Sequence, residues 1–324
     1  MGESSLTLAF SDYQAEVGWI LGYSRDSDNW SAAQLAQINA VVQSGVRRFY
    51  YPPGIGQSKP HEWSFLKPDT SMVLWPDIAL DDDVTVTATE SDDVSTVTAS
   101  EASFYNNMIG RSIVITSTGT FTITGYTSST VVSVSGDATC TDKTFSMATT
   151  SEYQLPDDFA GLYGHVTFAA DNNYPPIEIV GDQQVREWAQ YTNVSRPRSA
   201  CIRPKASTGA AGQRFELYCY PEPDAEYTVY FRYESLPSQL SSSYPYPLGG
   251  MQHSETILAF CLWTAAERID DDPDTRRSYA MERLDASVRR DRVLSPPNLG
   301  YNSDAEYISA VRHVDGLITH INDV

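Results

Sequence analysis

Apolar residues recur at helical spacing near both ends of the chain and at alternate positions through its middle. Tyr13, Val17, Ile20 and Leu21 share one helical face, with Ser11 as the expected N-cap and Gly22 at the C′ position. A second helix carries a stronger signature. Ser31 and Gln34 form a capping box, Trp30 and Leu35 hold the two positions of a hydrophobic staple, and Leu35, Ile38, Val42, Val46 and Phe49 form the stripe. Arg47 and Arg48 suit its negative end, and Pro52-Pro53 blocks continuation. The short polar loop between these helices predicts an antiparallel pair.

Helical spacing returns after Gly249-Gly250. Ile257, Leu258, Cys261, Leu262, Ala265 and Ile269 form a stripe on a helix capped by Ser254 or His253. The next helix has Asp272 as N-cap, Pro273 at N1, Asp274 in its first turn, and Ala280, Leu284 and Val288 as its buried stripe. It must stop before Pro296-Pro297.

Between the helices the period changes to two. From Val84 to Thr149, 27 of 66 residues are Ser or Thr and none of the chain's 18 prolines occurs. Alternating runs such as "VTVTAT" and "TVVSVSG" there predict a small all-β module. Prolines and aromatics resume at "YQLPDDFAGLYG". "VTF", "IEIV", "ACIRP", "QRFELYCY" and "EYTVYFRYE" follow as strands, with "PEPDAE" expected as a hairpin turn between the last two. A short helix capped by Asp182 is expected from Gln183 to Tyr191.

The pattern predicts an α+β fold. A helical bundle is built from residues 1–80 and 251–295, an all-β module is inserted at 84–149, and a β-rich domain spans 151–250. Residues 296–324 read as an extended C-terminal arm, or as a hairpin about Asp315-Gly316.

Net charge is −20, spread along the chain. That surface repels phosphates and argues against tight nucleic-acid binding, while suiting a wall past which DNA slides. The longest apolar run, Ile257 to Trp263, is too short to span a bilayer. The acidic start "MGESSLTLAFSDYQ" lacks the basic and apolar regions of a signal peptide, so synthesis in the cytoplasm is expected. Cys140, Cys201, Cys219 and Cys261 form no CxxC pair and read as free buried thiols. Cys201 and Cys219 fall on two expected strands and could be neighbours.

"HSETILAFCLWTAAE" concentrates catalytic residue types, but helical geometry separates them. Eight residues at ~1.5 Å rise put His253 and Cys261 about 12 Å apart. His253, Ser254 and Glu255 point to different faces. The acidic runs at Asp81 to Asp83, Asp157-Asp158 and Asp270 to Asp272 lack calcium-loop spacing and read as solvated charge. "HEWSF" has no second zincin histidine, and no GxSxG occurs. No catalytic, cofactor-binding or metal-binding residue is assigned. From Thr264 to Val293, eight acidic residues accompany seven arginines, either as a solvated face or as a charged subunit interface.

The order of several stretches resembles the head-to-tail adaptor (connector, or neck) proteins of tailed bacteriophages. They are "WSAAQLAQINAVVQSGVRRFYYPP", "HEWSFLKPDTSMVLWP", "YQLPDDFAGLYG", "RFELYCYPEPDAEYTVYFRYE", "YPLGGMQHSETILAFCLWTAAE" and "SPPNLGYNSDAEY". The family's pattern matches at Leu155, Pro156, Asp157, Asp158 and Phe159, and again at Leu299, Gly300, Tyr301 and Asn302; the tail beyond Asp304 departs from it. The resemblance implies a non-enzymatic virion protein made in the host cytoplasm and carried in the neck. It implies a ring, commonly a dodecamer, between the portal protein and a tail or nozzle protein, with DNA passing through its lumen and no cofactor or membrane. It points to subunit packing through Arg276, Arg277, Arg283, Arg289 and Arg290. It also points to partner contacts through Leu299, Gly300, Tyr301, Asn302, Leu317, Ile318 and Ile321. Two other readings stand beside it: a tail component recognising host-surface glycans through its β modules, and a hydrolase using a carboxylate pair.

Overall fold

The computed structural model describes residues 4–54, 59–78, 83–170, 174–206, 212–269 and 272–294, together with the short strands 313–314 and 317–318. Five α-helices stand out among them: α1 (Phe10–Ile20), α2 (Ala32–Tyr50), α3 (Asp182–Trp188), α4 (Met251–Ile269) and α5 (Pro273–Leu294). The mixed α+β composition expected from the sequence is present. The chain divides into two compact units, one drawn from Met1–Pro68 and Glu234–Ala310, the other from Asp69–Tyr233 and Val311–Val324. The divisions fall at Pro68 and Glu234, where the hydrophobic pattern places the edges of its helical segments near 80 and 251.

In the first unit α4 packs on α1, α2 and α5 around one core. Its centre is the α2–α4 crossing, where Gly45 lets the two backbones meet. A Cβ built on Gly45 would lie 2.5 Å from the Cys261 Cα and 2.7 Å from its backbone nitrogen. Small residues at a crossing allow such close approach, and the apolar stripe of α4 therefore belongs against α2 of the same chain. The Ser31–Gln34 capping box forms as expected: Ser31 N–H donates to Gln34 Oε1 at 2.8 Å and Gln34 N–H donates to Ser31 Oγ at 3.3 Å.

Three local expectations change. Helix α1 starts earlier than Ser11, with Ala9 as N-cap and its N–H bonded to Asp12 Oδ2 at 2.8 Å. Leu35 is 39% exposed, so the buried stripe of α2 begins at Ile38. His253 caps nothing: α4 starts at Met251, and His253 is buried within its first turn.

In the second unit, residues 85–146 form a closed six-stranded barrel. Its strands are β2 (Thr85–Ser91), β3 (Val94–Ala99), β4 (Ser112–Ile115), β5 (Gly119–Ser128), β6 (Val131–Ser135) and β7 (Cys140–Ser146), ordered β2-β3-β6-β5-β4-β7. Pairing of Thr85 with Thr144 and Val86 with Lys143 closes the ring. The alternation places Val97, Ile113, Val132 and Val134 inside while most Thr and Ser face outward; Ser95 is the buried exception among the described barrel strands. Closure removes the open edges that so threonine-rich a sheet would otherwise present. Asp92 and Asp93, both at positive φ, make the two-residue turn between β2 and β3.

Outside the barrel lie two sheets. One orders β1 (Asp69–Leu74), β13 (Tyr227–Ser235) and β9 (Phe159–Phe168). The other orders β10 (Glu178–Ile179), β11 (Ser199–Pro204), β12 (Phe215–Tyr220) and β8 (Glu152–Gln154). The expected "PEPDAE" hairpin is absent, because β12 pairs with β11 and β8 while β13 pairs with β1. Pro221 to Glu226 instead carry the chain from one sheet to the other. Cys201 faces Tyr218 and Cys219 faces Ala200, so the two thiols lie on opposite faces of adjacent strands. Asp182 is the first residue of α3 and Gly181 its N-cap. Arg203 ties this second sheet together: its Nε donates to Glu216 Oε1 at 2.8 Å, its Nη2 to Glu152 Oε1 at 2.5 Å, and its guanidinium lies 4.0 Å from the Tyr218 ring centre.

Candidate functional site

Helix α5 carries one narrow buried stripe. Ala280, Leu284, Ser287, Val288 and Asp291 are buried, at the spacing of one helical stripe. Leu284 and Val288 join the core of the helical unit, and Ser287 Oγ lies 2.7 Å from Thr256 Oγ1 of α4. The arginines are spread around the rest of the helix, with Arg276 and Arg283 beside the stripe. Arg277, Arg289 and Arg290 are exposed, and Arg276 and Arg283 are half-buried. Arg289 pairs with Asp285 at 2.6 Å, Arg283 reaches Glu255 at 3.8 Å, and Arg277 lies 6.0 Å from the Trp263 ring centre. Arg276, Arg277 and Arg290 make no ion pair among the described residues. Tyr279 and Val293 on the same helix are 51% and 79% exposed. The five arginines expected at a subunit contact thus lie along one long, thinly buried helix.

The expected partner residues divide differently. Leu299, Gly300, Tyr301, Asn302 and Ile321 lie outside the described residues. Leu317 and Ile318 form β15 (Leu317–Ile318), which pairs antiparallel with β14 (His313–Val314). His313 opposes Ile318 and Val314 opposes Leu317. The rest of the stretch 296–324, expected as an arm or a hairpin, lies outside the described residues.

A polar centre that the sequence reading missed lies under α5. The Asp291 carboxylate is 3% exposed and accepts three hydrogen bonds. The donors are His61 Nε2 at 2.8 Å, Ser64 N at 3.1 Å and Ser64 Oγ at 2.5 Å. His61 and Ser64 belong to the "HEWSF" stretch, 230 and 227 residues away. The signal was present: Asp291 continues the Ala280–Leu284–Val288 stripe, although its arginine-rich neighbours make it look solvated.

Above this centre, Phe49, Trp63, Phe65 and His253 pack as one aromatic group with ring centres 4.5–6.4 Å apart. His253 is 1% exposed and its Nδ1 is buried without a partner among the described residues. Serine, histidine and aspartate are close here, but the carboxylate lies between the other two. It consumes the serine proton that a nucleophile would pass to histidine. The arrangement braces the last turns of α5.

Burial holds the His253 imidazole below its ordinary value of 6.5, with Arg290 and His61 adding to the effect and Asp291 opposing it. A base whose folded pKa is depressed binds fewer protons folded than unfolded. Its stability contribution is therefore complete above about pH 6.5 and declines as pH falls towards the folded value. In urea titrations between pH 7.5 and 5.5, His253→Phe is expected to show a shallower loss of stability than the natural protein. Parallel profiles would contradict the neutral, buried imidazole.

Among the described residues no cluster of His, Cys, Asp and Glu could hold a metal ion, and no helix is long and apolar enough to cross a membrane. Burial raises the thiols of Cys219 and Cys261 well above the ordinary cysteine value and that of Cys201 to about 11, which is the behaviour of inert core thiols. No curated protein matches the chain. The family described as SU10 adaptor protein matches residues 132–298, from the last barrel strands through the four-stranded sheet, β9, β13, α4 and α5. That span is just over half of the 324 residues, and the chain belongs to this family of phage structural adaptors.

Proposed function

We propose that this protein joins capsid to tail as a ring beneath the portal protein, around the channel through which DNA leaves. Twelve copies, the common number among head-to-tail adaptors, pack side by side through their helical units. The tail or nozzle protein binds the opposite face of the ring, and the ring resides in the virion neck after synthesis in the host cytoplasm. The protein acts without catalysis or cofactor. The observation that carries this reading is α5, a 22-residue helix with a narrow buried stripe and six arginines spread over the rest of its surface, in a family of adaptors. Six of the chain's 22 basic residues stand on that helix, against a whole-chain charge of −20. A cationic helix on so acidic a protein complements the surface of a second copy. The remaining negative charge suits a lumen that DNA crosses without binding.

Residues 299–324 are proposed to reach the portal, with Leu317 and Ile318 adding a strand pair to its surface. The test is assembly. In native mass spectrometry the Arg289→Glu/Arg290→Glu variant is expected to assemble at least tenfold more weakly than the natural chain, with an unchanged circular dichroism spectrum. Undiminished assembly would remove α5 from the subunit contact.

A further inference from the structure

At one end of the four-stranded sheet, beside α3, lies an open cavity of about 470 Å³, within the range of small-ligand sites. Two aromatic residues line it: Trp188, the last of α3, and Tyr220, the last of β12. Both are half-buried and remain accessible, with ring centres 6.2 Å apart and planes tilted by 33°. The chain from Asn193 to Ser199 supplies the polar lining, and backbone hydrogen bonds hold it in place. Ser195 N–H donates to Glu222 O at 2.8 Å, Glu222 N–H to Asn193 O at 3.1 Å and Arg198 N–H to Tyr220 O at 3.1 Å.

The side chains there are left free. Asn193, Ser195, Arg198 and Ser199 are all accessible, and none of the four makes a side-chain hydrogen bond or ion pair among the described residues. The chain has 42 acidic residues against 22 basic ones, yet no carboxylate lines this cavity and its arginine stands alone. The free groups narrow the ligand. One cation suits one negative charge, whereas a polyanion would meet the repulsive field of the whole protein. The sheet also offers no strand edge at this place, because β11 lies between β10 and β12, and β12 between β11 and β8. An extended peptide would therefore find no ladder to join. A compact ligand with several hydroxyls and an apolar face matches the three small polar side chains and the two rings.

We propose that this cavity binds a pyranose sugar carrying one carboxylate. The Arg198 guanidinium pairs with the carboxylate through two parallel N–H groups, and the C–H face of the sugar packs on the Trp188 and Tyr220 rings. Asn193, Ser195 and Ser199 exchange hydrogen bonds with the sugar hydroxyls. No residue of α5 takes part, so the ring contact and the sugar site can each fail without the other.

The test follows the Trp188 indole N–H, one of six tryptophan signals, by NMR on the full-length protein, assigned with Trp188→Phe. The probes are the methyl glycosides of glucuronic acid and of N-acetylneuraminic acid, the neutral methyl glucoside, and N-acetyl-glutamate methylamide. At least one acidic sugar is expected to shift the Trp188 signal with a roughly millimolar Kd. The neutral glucoside is expected to bind at least tenfold more weakly, and Arg198→Gln to weaken the acidic sugar by about tenfold. The Arg198 side chain holds no partner of its own, and an unchanged circular dichroism spectrum separates this loss from misfolding. Absence of a Trp188 shift with both acidic sugars, or equal binding by the neutral glucoside, overturns the proposal. Equal binding by the glutamate compound, which has the carboxylate but no sugar ring, overturns the sugar as occupant.

Discussion

Asp291→Ala is expected to lower the unfolding free energy of the helical unit by about 3–5 kcal/mol, measured by urea denaturation. The carboxylate is enclosed, and its removal leaves His61 Nε2, Ser64 N and Ser64 Oγ without an acceptor. Each orphaned donor costs about 1–3 kcal/mol, so the loss is cumulative. Asp291→Asn keeps one acceptor oxygen and is expected to cost clearly less. The contrast with the neighbouring Arg289–Asp285 pair is instructive. Those side chains are 77% and 41% exposed, and an exposed pair one helical turn apart contributes only about 0.3–0.5 kcal/mol. A loss below about 1 kcal/mol for Asp291→Ala would mean that the carboxylate is not the brace described here.

Gly45→Ala should also destabilise, by about 3 kcal/mol. In an ordinary helix interior the same change stabilises by about 0.5–1 kcal/mol, so even the sign is diagnostic. The new methyl would meet the Cys261 backbone at 2.5 and 2.7 Å and its Sγ at 2.8 Å. The first two atoms cannot swing away, so α2 and α4 must separate and the core around Phe260 and Val42 must loosen. Trimming Cys261 to alanine in the same chain is not expected to rescue it. A neutral or stabilising Gly45→Ala would show that the crossing is looser than these distances.

Features fixed by neighbouring residues were legible in the sequence. The Ser31–Gln34 capping box needs only three intervening peptide units, and period-2 alternation marked the strands of the barrel. What alternation does not encode is closure. Nothing in "VTVTAT" states that β2 must find β7 at the far end of the module. The "PEPDAE" turn failed for a related reason, since the same residues that favour a hairpin also suit a crossover between sheets. β1 escaped notice because "DTSMVL" is short and alternates weakly. The polar centre was hidden by distance along the chain: Asp291 looks like one more charge in an arginine-rich helix until His61 and Ser64 are folded beside it.

The central claim is that this adaptor assembles at the portal vertex. Its most direct test is negative-stain electron microscopy of the purified protein mixed with capsids that carry the portal but lack the neck. Rings seated on the portal vertex, at a single position on each capsid, are the expected result. Bare vertices beside free, unassembled protein at saturating concentration would contradict it.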